Sequence, residues 1–247
     1  MVEPNVVTVT LAAALTAAAT GIGALPFVFR PTMSRVWVGI SGAVAGGFMI
    51  SASLALVIEG ADHGGPTVAL GFVVGAVFLV VAHRWLAGRD DVVVGALSGA
   101  DARKAILIVA VMTVHSFSEG VGVGVSFGGG EALGVFITLA IAVHNIPEGL
   151  AISLVLVPRG ARVRTAAAWS VFSSLPQPLM AAPAFLFVEQ FDSLLAPGLG
   201  FAAGAMSAMV VRELLPEARA TAPLATVVVA FALSFVAMTG FQYAVLA

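Results

Sequence analysis

Apolar residues run along this chain in blocks of lipid length, each broken by a short cluster of Gly, Pro or charged residues. Eight blocks stand out, at about 8–29, 36–58, 66–85, 104–127, 131–157, 164–188, 194–214 and 222–245. Each is near the ~20 residues that cross a bilayer as one helix. The blocks are continuous and rich in Ala, Leu, Val and Gly, whereas barrel strands are about 10 residues long and alternate. The pattern predicts an all-α polytopic membrane protein, a single transmembrane domain of eight helices over residues 1–247.

Composition agrees and narrows the class. Of 247 residues 60% are hydrophobic and 10% charged, against about a quarter charged in soluble domains. No basic cluster precedes the first block, which therefore reads as a retained span and not a cleaved signal. The absence of cysteine excludes disulfides, thiolate metal sites and cysteine nucleophiles. A net charge of -2 on so few charges argues against nucleic acid as a partner. The partners implied are the lipid bilayer and whatever the polar interior binds.

Charge also orients the chain. Arg30 and Arg35 lie between spans one and two, Arg84, Arg89, Arg103 and Lys104 between three and four, Arg159, Arg162 and Arg164 between five and six, and Arg212 and Arg219 between seven and eight. These are all eleven basic residues, and they fall on one side. The other side carries Glu3, Glu59, Asp62, Glu131, Glu189 and Asp192. The positive-inside rule then places the basic loops in the cytoplasm and both termini outside, as in a multi-pass protein of the cell (inner) membrane. The longest connection, 87–102, reads as a cytoplasmic loop without histidine.

Against this apolar background one phrase occurs twice. His115-Ser116-Phe117-Ser118-Glu119-Gly120 lies in span four and His144-Asn145-Ile146-Pro147-Glu148-Gly149 in span five. Residues four apart share a helix face, so each copy presents an imidazole and a carboxylate together. Ionisable groups within a span are costly and functional by default. At 1.5 Å per residue both copies fall near the middle of a core about 30 Å thick. Antiparallel neighbours joined by a short turn would bring the two faces side by side. Two nitrogens and two carboxylates match a tetrahedral divalent site such as zinc in number and type. The two carboxylates sum to -2, which one dication neutralises.

Other residues have plainer readings beside their functional ones. Pro147 removes the usual donor for the Val143 carbonyl and would open the backbone beside the site. Span six carries Ser173-Ser174-Leu175-Pro176-Gln177-Pro178, which predicts a broken helix; Gln177 either faces the site or hydrogen-bonds across helices. Met49 is a weak soft ligand or a packing residue. His63, with Glu59 and Asp62, reads as a solvated outer loop, and His83 as an interfacial residue. Glu213 and Glu217 either pair with Arg212 and Arg219 or form an exit site. Spans two and seven share a small-residue face leading to a methionine, Gly42–Met49 and Gly200–Met206, which suggests inverted repeats.

At these motifs the chain resembles the ZIP (Zrt-/Irt-like) metal transporter family, nearest its prokaryotic branch. The double His-x-x-x-Glu-Gly pair carries the likeness, with Phe201–Met206 and Arg212–Glu217 in span seven. The resemblance implies a transporter rather than an enzyme, importing Zn²⁺ or a similar divalent ion by alternating access, with metal as substrate and no catalytic cofactor. It implies a 3+2+3 helix arrangement with inverted repeats, usually as a homodimer, in which spans one, four, five and six slide against the rest. By motif the primary ligands are His115, Glu119, His144 and Glu148, and Met49 resembles a residue near the entrance. Relatives hold a second metal where this chain has Ser116, Asn145 and Gln177, all neutral. Two dications sharing those two carboxylates would leave +2 at low dielectric. One tightly bound ion is expected. The rivals are an intramembrane hydrolase, for which no further acid or histidine lies at this depth to act as base, and a metal-modulated channel. Gln177→Glu is expected to raise second-site occupancy, read as a second anomalous peak in zinc-soaked crystals that the unsubstituted protein lacks.

Overall fold

The computed structural model describes residues 4–30, 32–87 and 100–246, with side chains of 86, 87, 100–108 and 246 excepted. The connection read at 87–102 lies mostly outside the described residues. Among the described residues every regular element is helical. The chain opens with α1 (Val6–Ile22), capped by the Asn5 side chain accepting from the Thr8 amide at 3.0 Å, and a single turn α2 (Pro26–Phe29) that starts on its proline. A long element α3 (Val36–Ala87) follows, then α4 (Ala100–Gly128) and α5 (Glu131–Leu156). Span six is divided into α6 (Val163–Ser174) and α7 (Pro176–Gln190), broken at Leu175 as its prolines predict. The chain ends with α8 (Leu195–Met209), a π-helical turn (Val210–Leu214), α9 (Leu215–Thr221) and α10 (Leu224–Leu246).

Among the described residues six helical runs are long and apolar enough to cross a membrane, among them Val36–Trp85, with an 18-residue stretch of mean hydropathy 2.2. Their outer surfaces carry Leu15 at 70%, Leu179 at 72% and Val236 at 65% exposure, while His115, Glu119, His144 and Glu148 and a set of serines and threonines that includes Thr16, Thr20, Ser173 and Ser174 are buried. This inverts the polarity of a soluble fold and suits a lipid surround. The chain is a multi-pass membrane protein.

Element α3 contains one non-helical residue, Gly64, at φ 150 and ψ 90, a conformation only glycine adopts without strain. Close approaches show what that residue does. Gly39, Gly42 and Gly46 meet Ala218, Leu214 and Val210 in descending order, so the first arm runs antiparallel to the α8–α9 stretch. Gly71 and Gly75 meet Pro197 and Phe201 in ascending order, so the second arm runs parallel to it. The chain therefore turns back at Gly64. The turn is tighter than expected from sequence: Glu59–His63, read as a loop, is helical, and His63 Nε2 lies 3.4 Å from Glu59 Oε1 one turn away.

The elements pack in two groups. Elements α1, α4, α5, α6 and α7 pack on one another, while α3 packs on α8, α9 and α10; α4 with α8 and α3 with α5 join the groups. In the first group the glycine that closes each repeated phrase lies at a backbone contact: a Cβ on Gly120 would meet the backbone of Gln177 in α7, and one on Gly149 the Thr20 carbonyl in α1. Gly149→Ala should destabilise the protein by about 1–3 kcal/mol through overpacking. Gly240→Ala, where a Cβ meets nothing within 4 Å, should be neutral or stabilising. Apparent melting temperatures of the two detergent-solubilised variants check the contrast.

Candidate metal centre

The candidate ligands are set by helix register. His115 and Glu119 sit one turn apart on α4, and His144 and Glu148 one turn apart on α5. The two helices are joined at Gly129-Gly130, where Gly130 takes φ 131, and they pack antiparallel. That direction places His115 opposite Glu148 and Glu119 opposite His144. His115 Nε2 lies 3.4 Å from Glu119 Oε1 and 3.6 Å from Glu148 Oε1, and His144 Nε2 lies 2.5 Å from Glu119 Oε1. One ligand atom from each of the four residues falls within 4.8 Å of the others. Four ligands at about 2.1 Å around a tetrahedral ion are separated by about 3.4 Å. Two of the observed separations already match that edge. The third is a hydrogen bond that an ion would replace.

Burial makes the arrangement meaningful. His115, Glu119 and His144 are fully enclosed and Glu148 is 2% exposed. Several polar atoms there make no hydrogen bond: both nitrogens of His115, Nδ1 of His144 and Oε1 of Glu148. Buried polar groups are normally bonded, and orphans call for an explanation such as an ion. Imidazole nitrogen and carboxylate oxygen are ligands for Zn²⁺ and its divalent neighbours.

A polar network surrounds the four ligands. Gln177, at the start of α7, is fully buried and its Nε2 donates to Glu119 Oε2 at 2.6 Å. Its Oε1 accepts from the Thr16 hydroxyl at 2.5 Å and from Asn145 Nδ2 at 3.2 Å. Asn145 Nδ2 also donates to the Thr16 carbonyl at 2.8 Å, which leaves its Oδ1 without a donor. One turn along α1, the Thr20 and Ser174 hydroxyls share a hydrogen bond of 2.8 Å.

Each expected residue can now be placed. His115, Glu119, His144 and Glu148 converge. Both readings of Gln177 hold, since it touches a ligand and bonds across helices. Asn145 lies beside Gln177, and Ser116 is buried next to His115. Met49 is fully buried in the main apolar core, a cluster that also contains Met206. In span five, α5 runs on through Pro147, which has no N–H to donate to the Val143 carbonyl. Of Glu213 and Glu217, Glu213 pairs otherwise than with Arg212 or Arg219: its Oε1 lies 3.0 Å from His83 Nε2. Thr16 and Thr20 escaped the sequence reading, although their spacing of four on an apolar helix marks a shared polar face.

Comparison with known proteins bears on the whole chain. A family model described as ZIP zinc transporter matches residues 89–243, which include both repeated phrases. The chain is 48% identical over 217 residues to a putative zinc transporter of Arabidopsis thaliana, covering 87% of this chain and 35% of that protein. It thus spans about a third of the plant relative's length. It is 35% identical over 221 residues to the zinc transporter GufA of Myxococcus xanthus, covering 84% of this chain and 87% of the relative. With the paired His-x-x-x-Glu-Gly phrases meeting in its interior and more than half its length matched, the chain belongs to the ZIP zinc transporter family.

Proposed function

We propose that this protein is a transporter that carries divalent transition-metal ions, foremost Zn²⁺, inward across the cell membrane by alternating access. The observation that carries the reading is the convergence of two imidazoles and two carboxylates, all buried, from two antiparallel helices. His115, Glu119, His144 and Glu148 form the primary site, with Asn145, Gln177 and Ser116 around it. A lone dication balances the two carboxylates, so the loaded site is neutral and can cross a low-dielectric interior without a large charging cost.

Eight crossings in a 3+2+3 order, in a single domain, are the topology this function uses. The reversal of α3 at Gly64 supports reading its 52 residues as two crossings, and the 29 residues of α4 suffice for another. The pairing of α4 with α7 through Gly120 and of α5 with α1 through Gly149 supports an inverted relation between the two ends of the chain. All eleven basic residues then face the cytoplasm and both termini face out. The sliding body would be the α1, α4, α5, α6 and α7 group.

Transport is tested in proteoliposomes. Uptake of radiolabelled zinc should saturate and should be insensitive to voltage, which distinguishes a carrier from a metal-modulated channel. His115→Ala and Glu148→Ala should each lower it by about tenfold or more, the cost of removing one charged ligand interaction. Uptake at wild-type rates in both variants would overturn the assignment of the site. Topology is tested on the natural chain, which has no cysteine. An impermeant maleimide applied to intact cells should label Asp192→Cys and spare Arg162→Cys; the reverse pattern would invert the orientation.

A further inference from the structure

The two oxygens of Glu119 are in different situations. Its Oε1 faces His144 Nε2 and His115 Nε2, among the converging ligands. Its Oε2 is taken by the side-chain amide of Gln177 at 2.6 Å. A carboxylate only accepts, so the nitrogen of Gln177 must face it; turning the amide over would set two acceptors against each other. The far side of the amide enforces the same choice. Gln177 Oε1 receives the Thr16 hydroxyl and Asn145 Nδ2. The single hydroxyl proton of Thr16 lies between two acceptors, Gln177 Oε1 at 2.5 Å and the Ala13 carbonyl of its own helix at 2.7 Å, and the Thr16 carbonyl receives Asn145. Thr16, Asn145 and Gln177 therefore clamp one amide from α1, α5 and α7, and the amide clamps one oxygen of a ligand on α4. All four residues are fully buried, so no solvent competes for these bonds.

We propose that Thr16 and Gln177 are positioning residues that hold Glu119 as a one-oxygen ligand and so tune the centre toward small four-coordinate ions such as Zn²⁺ over ions such as Mn²⁺. This rests on the metal-centre reading above and adds a cause of selectivity to it. Zinc is satisfied by four ligands, whereas Mn²⁺ favours octahedral oxygen. With Oε2 engaged by Gln177, Glu119 presents Oε1 as its free oxygen, and two-oxygen ligation would compete with that hydrogen bond. Glu148, whose Oε1 has no donor, has no such restriction. Removing the amide would free Oε2, add an oxygen to the available set and narrow the gap between the two metals.

The test uses the purified full chain in detergent, with Mn²⁺ competing against radiolabelled zinc, and X-ray absorption of the zinc-loaded protein to count light-atom ligands. Gln177→Leu, of similar volume, should lower the zinc-over-manganese ratio by about tenfold, the scale of one hydrogen bond to a charged group. It should also raise the oxygen count at zinc. Thr16→Val, which keeps shape and loses the hydroxyl, should shift the ratio the same way by less, and Thr16→Ser should restore it. A purely structural role would weaken both metals alike and leave the ratio fixed. An unchanged ratio in Gln177→Leu, or Thr16→Ser behaving like Thr16→Val, overturns the proposal; if Gln177→Leu does not fold, the two Thr16 variants decide. Zinc binding that survives both His115→Ala and Glu148→Ala would instead remove the metal centre itself, a separate failure.

Discussion

A carboxylate fully enclosed among lipid-length helices must have both oxygens answered from within the protein. Glu119 meets that requirement from three directions: His115 on its own helix, His144 on α5 and Gln177 on α7. The requirement spreads outward. Gln177 needs an acceptor-side partner, which brings in Thr16 on α1, and Asn145 completes both. One buried charge thus organises four helices, and the polar interior of the first helix group can be followed outward from it.

Meeting that demand depends on distance between backbones. Short polar side chains such as Thr and Gln reach across only where the helices nearly touch, and Gly120 and Gly149 supply those contacts one residue beyond each glutamate. The phrase His-x-x-x-Glu-Gly is in this sense two statements. Its His and Glu set the ligands on one face, and its Gly brings in the helix that supports them. The second group uses the same device without the polar chemistry, with Gly71, Gly75, Gly200 and Gly204 lining the α3–α8 contact.

These differences explain what could be read from residues alone. Ionisable residues in an apolar run are conspicuous, so His115, Glu119, His144 and Glu148 and their meeting from antiparallel helices were legible, as was the break in span six from Pro176 and Pro178. Thr16 was not, because a threonine on an apolar helix ordinarily satisfies its hydroxyl on its own backbone, as Thr10 does on the Val6 carbonyl. Only the relative rotation of α1 and α7 turns Thr16 into a partner for Gln177. The π-helical turn at Val210–Leu214 has no compositional mark. Glu213 pairs with His83 across helices, a choice that local spacing to Arg212 and Arg219 could not make.

The distribution of bond types bears on how the two groups can move. The cross-helix hydrogen bonds described above, Thr16–Gln177, Asn145–Thr16, Gln177–Glu119, His144–Glu119 and Thr20–Ser174, stay inside the first group, and His83–Glu213 joins α3 to the π-helical turn inside the second. The contacts between groups are of another kind: Gly122 against Ala202, Val125 against Gly198, Phe78 beside Phe117 at 5.5 Å between ring centres, and Phe136 beside Phe241 at 6.0 Å. Directional bonds resist displacement because each has one geometry, and breaking one in a dry interior leaves an unpaired group. Small and aromatic apolar surfaces exchange one contact for another at little cost, since dispersion has no register of its own. A displacement of α1, α4, α5, α6 and α7 as one body would therefore keep the ligand cluster and its supporting amide intact while apolar surfaces slip past each other. In such a movement the ion travels with its ligands, and its neutralised charge never meets the bilayer unpaired.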